Sequence, residues 1–171
     1  MKPGQIYFGN AYNAQATPMH VLELKVPPVG VVLVMAGLMW FVAGIVPALE
    51  FVLPARDFVA VIFVVAGLIT GAMGIASFVR AKTTVNPMKP DSVSSLVVSG
   101  LYARSRNPMY LGLLLILVGW GWYLSNALAF LLLPGFILYM NRFQIEPEER
   151  ALASLFGQEF IAYKSQVCRW L

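Results

Sequence analysis

The chain has 171 residues, with 12 Lys and Arg against 8 Asp and Glu, a formal net charge of +4; 12% of its residues are charged and 59% are hydrophobic. A soluble domain carries about 25% charged residues, and a mean hydropathy of +0.74 places this chain well away from that class. So few charges cannot cover a water-facing surface without leaving broad apolar patches, which excludes a water-soluble enzyme and makes lipid the natural solvent.

The length suits one folding unit, with no room for a separate soluble catalytic module. A single cysteine, Cys168, excludes an internal disulfide, and a single histidine, His20, excludes a multi-histidine metal site, so no metal is expected. The pI near 9.4 reads as the cationic cytoplasmic face of a membrane protein, not as a nucleic-acid surface.

Residues 1–18 are polar and rich in Gly and Asn, without the basic start and apolar core of a secretory signal. They read as part of a flexible extension over residues 1–20, ahead of a single transmembrane domain over 21–171; Met19 opens a more typical run. Val29 to Leu49 holds 21 residues without a charge, about 31 Å as a helix and enough for the hydrocarbon core. Pro27 and Pro28 precede it harmlessly, and Pro47 in its last turn distorts or ends it. Phe58 to Val79, 22 uncharged residues, is the second span and stops at Arg80 and Lys82.

Residues 83–100 begin as a Pro/Asn/Lys loop and end in the apolar run Ser95-Leu96-Val97-Val98, suited to the membrane interface. Asn107 to Asn141 then gives 35 residues without a formal charge. One helix of that length would be about 52 Å, too long for one crossing, so it folds into a tight hairpin turning at Ser125-Asn126. Pro134-Gly135 predicts a kink in the second arm, with a cavity beside it. The expected fold is therefore all-α and integral to the membrane, with about four transmembrane helices and short cytoplasmic C-terminal helices. Glu146-Pro147-Glu148-Glu149 reads as the start of the first of these, with Pro at the first helical position and acids in the first turn.

Four spans place both termini on one side with eleven of the twelve cations, leaving Arg56 alone on the other; the termini are expected to be cytoplasmic. That arrangement brings together three polar groups at one membrane boundary: Tyr102 and the run Arg104 to Gly112, then Asn141-Arg142, then Glu146 to Glu149. Taken singly, these residues have plainer readings. The acids suit a helix N-terminus, and the arginines set topology. Gly67-x-x-x-Gly71 reads as a helix-packing face, and Trp120, Trp122 and Tyr123 as an aromatic belt at the far interface.

The run Arg106-Asn107-Pro108-Met109-Tyr110-Leu111-Gly112, followed after a hydrophobic hairpin by Glu148-Glu149, Leu152, Phe156-Gly157, Phe160, Tyr163 and Arg169, resembles the isoprenylcysteine carboxyl methyltransferase and phospholipid methyltransferase superfamily. Its signature is Arg-His-Pro-x-Tyr-x-Gly with a distal Glu-Glu pair. The resemblance covers residues 80–171 well, and the first two spans only as generic hydrophobic helices. It implies S-adenosylmethionine as methyl donor, held at the cytoplasmic mouth, and a lipophilic acceptor (a membrane lipid or a lipidated substrate) entering from the bilayer. Carried over by position, it implies cofactor contacts from Tyr102, Arg106, Asn107, Pro108, Tyr110, Gly112, Glu148 and Glu149, and catalytic roles for Arg142, Glu148 and Glu149. Asn107 stands where the motif has His; Asn holds fixed donors and an acceptor but never a titrating proton, so no acid–base role transfers to it.

Methyl transfer from a sulfonium is an in-line displacement that needs positioning and exclusion of water, so the lack of His/Cys machinery is no objection. A carboxylate acceptor needs no base, whereas an amine or thiol must lose a proton, for which Glu148 or Glu149 is the candidate if one is not used on the cofactor. With no other evident buried base the sequence slightly favours an acceptor already anionic, such as a carboxylate on a prenylated or other lipid-like molecule. Two other functions fit parts of the pattern: a nicotinamide-dependent membrane reductase of related fold, and a non-catalytic membrane scaffold.

Overall fold

The computed structural model describes residues 23–52, 54–81 and 95–171. The expected flexible extension, His20, and the Pro/Asn/Lys part of the loop after the second span lie outside those residues.

Among the described residues the regular elements are helices: α1 (Pro28–Ile45), α2 (Arg56–Arg80), α3 (Pro108–Leu124), α4 (Ala127–Phe130), α5 (Leu132–Met140), α6 (Glu146–Phe156) and α7 (Gln158–Gln166). Three helical stretches are long and apolar enough to cross a membrane: α1, α2 and the continuous run Ala127–Phe156 made of α4 to α6. The expectation of an all-α integral membrane protein is met, with α3 the shorter apolar helix at 17 residues.

The four stretches run antiparallel. α1 stops at Ile45 because Pro47 cannot continue it and instead opens a short 3-10 turn, Pro47–Leu49. The turn that follows docks on the α3–α4 corner, where Asn126 Nδ2 donates to the Val46 carbonyl at 2.9 Å and Phe51 N–H to the Ser125 carbonyl at 2.9 Å. Ser125 takes the left-handed conformation that ends α3, and the Asn126 side chain accepts the Leu128 N–H at 3.0 Å to start α4. The hairpin thus turns at the expected pair.

α2 and α3 pack backbone to backbone along small residues seven apart, Ala60, Gly67 and Gly74 against Gly112 and Gly119. A Cβ on Gly112 would stand 2.6 Å from the Gly67 carbonyl and 2.9 Å from the Gly71 nitrogen, so no side chain fits. The close approach replaces the hydrophobic drive that lipid does not supply between helices. Met39, Leu117, Ala129, Phe136, Met140 and Ile145 fill the fully buried centre between α1, α3 and the last helix.

Two prolines act differently from the sequence expectation. Pro134 lacks the N–H that would bond the Phe130 carbonyl, and its ring crowds that carbonyl. The break therefore falls upstream at Leu131, which bonds the Leu128 carbonyl instead. Pro134 and Gly135 are exposed, and neither lines the cavity described below. Glu146-Pro147 does not start a free helix, because the chain runs helically through it by way of a π turn, Asn141–Ile145. Pro147 cannot bond the Phe143 carbonyl; the Leu24 N–H takes that acceptor at 3.0 Å and ties the segment before α1 to this turn.

The run Ala127–Phe156, 30 residues, is about 45 Å long against a hydrocarbon core of roughly 30 Å, so α6 projects beyond the membrane. Gly157 then turns the chain into α7 with φ +51° and ψ −121°, backbone that a residue with a Cβ rarely adopts.

Candidate functional site

Three segments converge at the end of the bundle where α3 begins and α6 projects: the 3-10 turn Gly100–Ala103 with the entry to α3, α6 itself, and α7 with the C-terminal residues 164–170. Hydrogen bonds between residues distant in sequence join them. Arg106 N–H donates to the Cys168 carbonyl at 3.0 Å, and Asn107 Nδ2 donates to the Arg169 carbonyl at 2.9 Å. Tyr163 OH donates to the Tyr102 carbonyl at 2.7 Å, and the Trp170 indole N–H to Asn141 Oδ1 at 3.0 Å. Buried Ser105 accepts the Asn107 N–H at 3.1 Å, and Pro108 at the next position needs no partner.

Between these segments lies a cavity with about 790 Å³ of empty space, partly open to solvent. Tyr102, Arg106, Asn107, Tyr110, Glu148 and Glu149, six of the residues singled out from sequence, line it. Its apolar walls come from Phe78 at the end of α2, Leu96 and Val97, Met109, Leu152 and Phe160. The run Ser95 to Val98 is therefore in part a wall of the pocket, with Val97 buried.

The two adjacent glutamates have opposite surroundings. Glu149 is buried among three cations: Arg106 Nη2 at 2.9 Å, Arg169 Nη2 at 2.9 Å with Nε at 3.2 Å, and Lys164 Nζ at 3.2 Å. Burial alone would raise its carboxyl, but the hydrogen bonds from Arg169, Arg106 and Lys164 outweigh it and hold the group down at about 2. Glu148 has no cation within ion-pairing distance among the described residues and accepts a hydrogen bond from Tyr110 OH. Burial pushes its carboxyl up to about 7, opposed by that hydrogen bond and reinforced by the charge of Glu149. Burial likewise lifts the Tyr163 phenol to about 12.

Arg106 is anchored on three sides. Nη1 donates to the carbonyls of Lys164, at 3.0 Å, and Val167, and Nη2 to Glu149. Its side chain is 10% exposed, and Nε is buried without a hydrogen-bond partner.

Three expected site residues lie elsewhere. Gly112 faces α2, where its missing side chain admits Gly67 and Gly71. Pro108 is fully buried against the Gly74 face of α2. Arg142 points away from the cavity to Glu23 at 2.8 Å and Glu146 at 3.6 Å. Cys168 is exposed and contributes its backbone. Sequence reasoning did not identify Glu23, a buried carboxylate paired with Arg142 and Arg150, or the roles of Lys164 and Arg169 around Glu149. Arg169 was visible only as a matching position, with nothing to say which carboxylate it meets.

The model of the family described as phospholipid methyltransferase matches residues 55–159. A protein of Haemophilus influenzae described as "Uncharacterized protein" is 54% identical over 63 residues, 37% of this chain and all of that relative. No solved structure matches.

Proposed function

The chain belongs to the phospholipid methyltransferase family, and from that premise we propose that it transfers a methyl group from S-adenosylmethionine to the head of a lipid or lipidated acceptor. On this reading α3 also crosses the membrane, giving four spans with both termini cytoplasmic. Lys25, Arg80, Arg104, Arg106, Arg142, Arg150, Lys164 and Arg169 gather at the cavity end, with Arg56 at the other, which supports that orientation.

The residues present fit the donor. The Arg106, Lys164 and Arg169 cations around the single Glu149 carboxylate leave positive charge for its carboxylate, Glu148 and the Tyr102 ring lie within the same pocket, and much of the wall is apolar. When bound, the donor supplies a sulfonium methyl for in-line displacement. The protein holds the two reactants in register and keeps the pocket dry.

The single observation that carries the reading of the acceptor is Glu148, a carboxylate facing the cavity with Tyr110 as its partner and no cation to hold its charge. A group raised to about 7 is poised to accept a proton at physiological pH. The sequence argument for an anionic acceptor rested on the lack of an evident buried base, with Glu148 and Glu149 as the only candidates. With Glu148 in place, an amine head fits better: its proton passes to Glu148, whereas a carboxylate acceptor would meet that group's charge. Purified protein incubated in native lipid extract with isotopically labelled S-adenosylmethionine should yield a labelled lipid carrying an N-methyl group, identified by mass spectrometry. Label recovered only as methyl ester would overturn the amine assignment, and no labelled lipid would overturn the methyltransferase reading.

A further inference from the structure

We infer that Arg169, carried on the C-terminal strap of residues 164–170, is a positioning residue for donor binding: it holds Glu149 against Arg106 and so fixes the Arg106 guanidinium at the cavity wall. This rests on the methyltransferase reading above and adds to it a part of the chain beyond residues 55–159, the span matched by the family model.

The guanidinium of Arg106 is a rigid plane whose direction is set by its acceptors. All three acceptors of its side chain depend on the strap. The Lys164 and Val167 carbonyls belong to it, and Glu149 is gripped from it by Arg169 through a two-pronged contact, Nε to Oε1 at 3.2 Å and Nη2 to Oε2 at 2.9 Å. Arg106 lines the cavity, so the strap sets where its guanidinium stands there. The strap is itself pinned to cavity-wall residues: Asn107 holds the Arg169 carbonyl, Arg106 N–H holds the Cys168 carbonyl, and Trp170 reaches Asn141 at the π turn. Asn107 therefore acts on the pocket through Arg169. Charge points the same way, because one carboxylate among Arg106, Lys164 and Arg169 leaves two positive charges over, which suits an anionic ligand group.

The fork matters as well as the charge. A lysine at 169 would keep the cation but lose the paired geometry, while a glutamine would lose both. The test is calorimetric binding of S-adenosylhomocysteine to the full chain in detergent micelles, followed by steady-state methyl transfer. Arg169→Gln should weaken binding by about tenfold or more, as expected for losing a hydrogen bond to a charged group. Arg169→Lys should recover part of that loss. The donor KM should rise while the acceptor KM at saturating donor stays as in the wild type. Were Arg169→Gln not to fold, Arg169→Lys and Trp170→Phe, which frees the strap at Asn141, must each still weaken binding. Wild-type affinity in folded Arg169 variants, or equal rises in both KM values, would overturn the inference while leaving the methyltransferase reading intact. Failure of the wild-type protein to bind would instead remove that reading, and the inference with it.

Discussion

Replacing each of the adjacent glutamates by glutamine should give opposite phenotypes, and the structure sets the size of the difference. Glu149 is 8% exposed and neutralised by Arg106, Arg169 and Lys164. Its carboxyl is displaced from the ordinary 4.5 to about 2, worth about 3 kcal/mol to the folded state. Removing one partner of a buried pair costs a similar 3–5 kcal/mol or so. Lys164 is half exposed and adds little, so the contribution comes from the two arginines. Glu149→Gln should therefore destabilise by about 3 kcal/mol at neutral pH, a fall in Tm of about 6–12 °C for a chain of this size. A depressed carboxyl stabilises above its ordinary value and loses that contribution as pH falls from 4.5 towards 2. The gap between Glu149→Gln and wild type should accordingly close as the pH drops through that window.

Glu148 carries the reverse sign. Its carboxyl is raised to about 7, so its favourable contribution is complete below 4.5 and is lost as pH rises through 7. Glu148→Gln keeps an oxygen for the Tyr110 hydroxyl and removes an uncompensated buried charge. At pH 8 it should be at least as stable as wild type, yet methyl transfer should fall by about a hundredfold, the usual scale for losing a general base. Thermal unfolding of the detergent-solubilised proteins at pH 5 and 8, with labelled-methyl transfer alongside, separates the two. Equal destabilisation by both substitutions, or full activity in folded Glu148→Gln, would refute the division of labour.

The wild-type rate of methyl transfer should rise with pH through about 7 as Glu148 loses its proton, and a flat profile between pH 6 and 8 in a stopped assay would count against it as base. Gly112→Ala should loosen the α2–α3 contact, since the added carbon meets the Gly67 carbonyl at 2.6 Å; a loss of about 1–3 kcal/mol should appear in thermal unfolding. S-adenosylhomocysteine affinity in the still-folded fraction should be unchanged, whereas reduced affinity with unaltered stability would return Gly112 to the pocket. Asn107→His, which keeps an N–H donor for the Arg169 carbonyl, should hold S-adenosylhomocysteine affinity within about threefold, and Asn107→Leu, which removes that N–H, should lower it about tenfold. Calorimetry on both proteins checks this, and equal affinities would show that the bond to the strap is idle.

What was legible in the sequence is what lipid imposes. Uncharged runs of span length, the Ser125-Asn126 turn and the Gly67-x-x-x-Gly71 face each follow from a rule that acts within a few residues, and the structure has all three. The mouth was legible at one remove: once the hairpin returned the chain to its starting side, Arg106, Asn107 and Tyr110 had to lie near Glu148 and Glu149. Partner choice was not legible. Glu23 meets Arg142 and Arg150 across more than a hundred residues, and composition cannot tell which of several cations a carboxylate will hold. The walls from Phe78, Val97 and Phe160 come from three separate segments, and hydrophobicity alone does not distinguish a pocket wall from a lipid-facing side chain.

The misplacement of Arg142 has a more specific cause. In an unbroken α-helix, residues seven apart differ by about 20° around the axis, so Arg142 and Glu149 would share a face. The π turn at Asn141–Ile145 inserts one residue into a turn and slips everything after it by about 100°. Arg142 consequently stays on the side of Glu23, and Glu149 turns to Arg106. The same slip lets Glu148 reach Tyr110 while its neighbour reaches the strap, although consecutive helical residues diverge by about 100°. A helix packed on one partner would turn only one of two adjacent glutamates inward. In the structure α6 projects between two, α3 on one side and the C-terminal strap on the other, so both directions are inward. Pro147, taken from the sequence as a helix start, removes the N–H that the Phe143 carbonyl would otherwise receive and leaves that carbonyl to Leu24. The proline thus helps to set the phase that brings the two carboxylates to their separate partners.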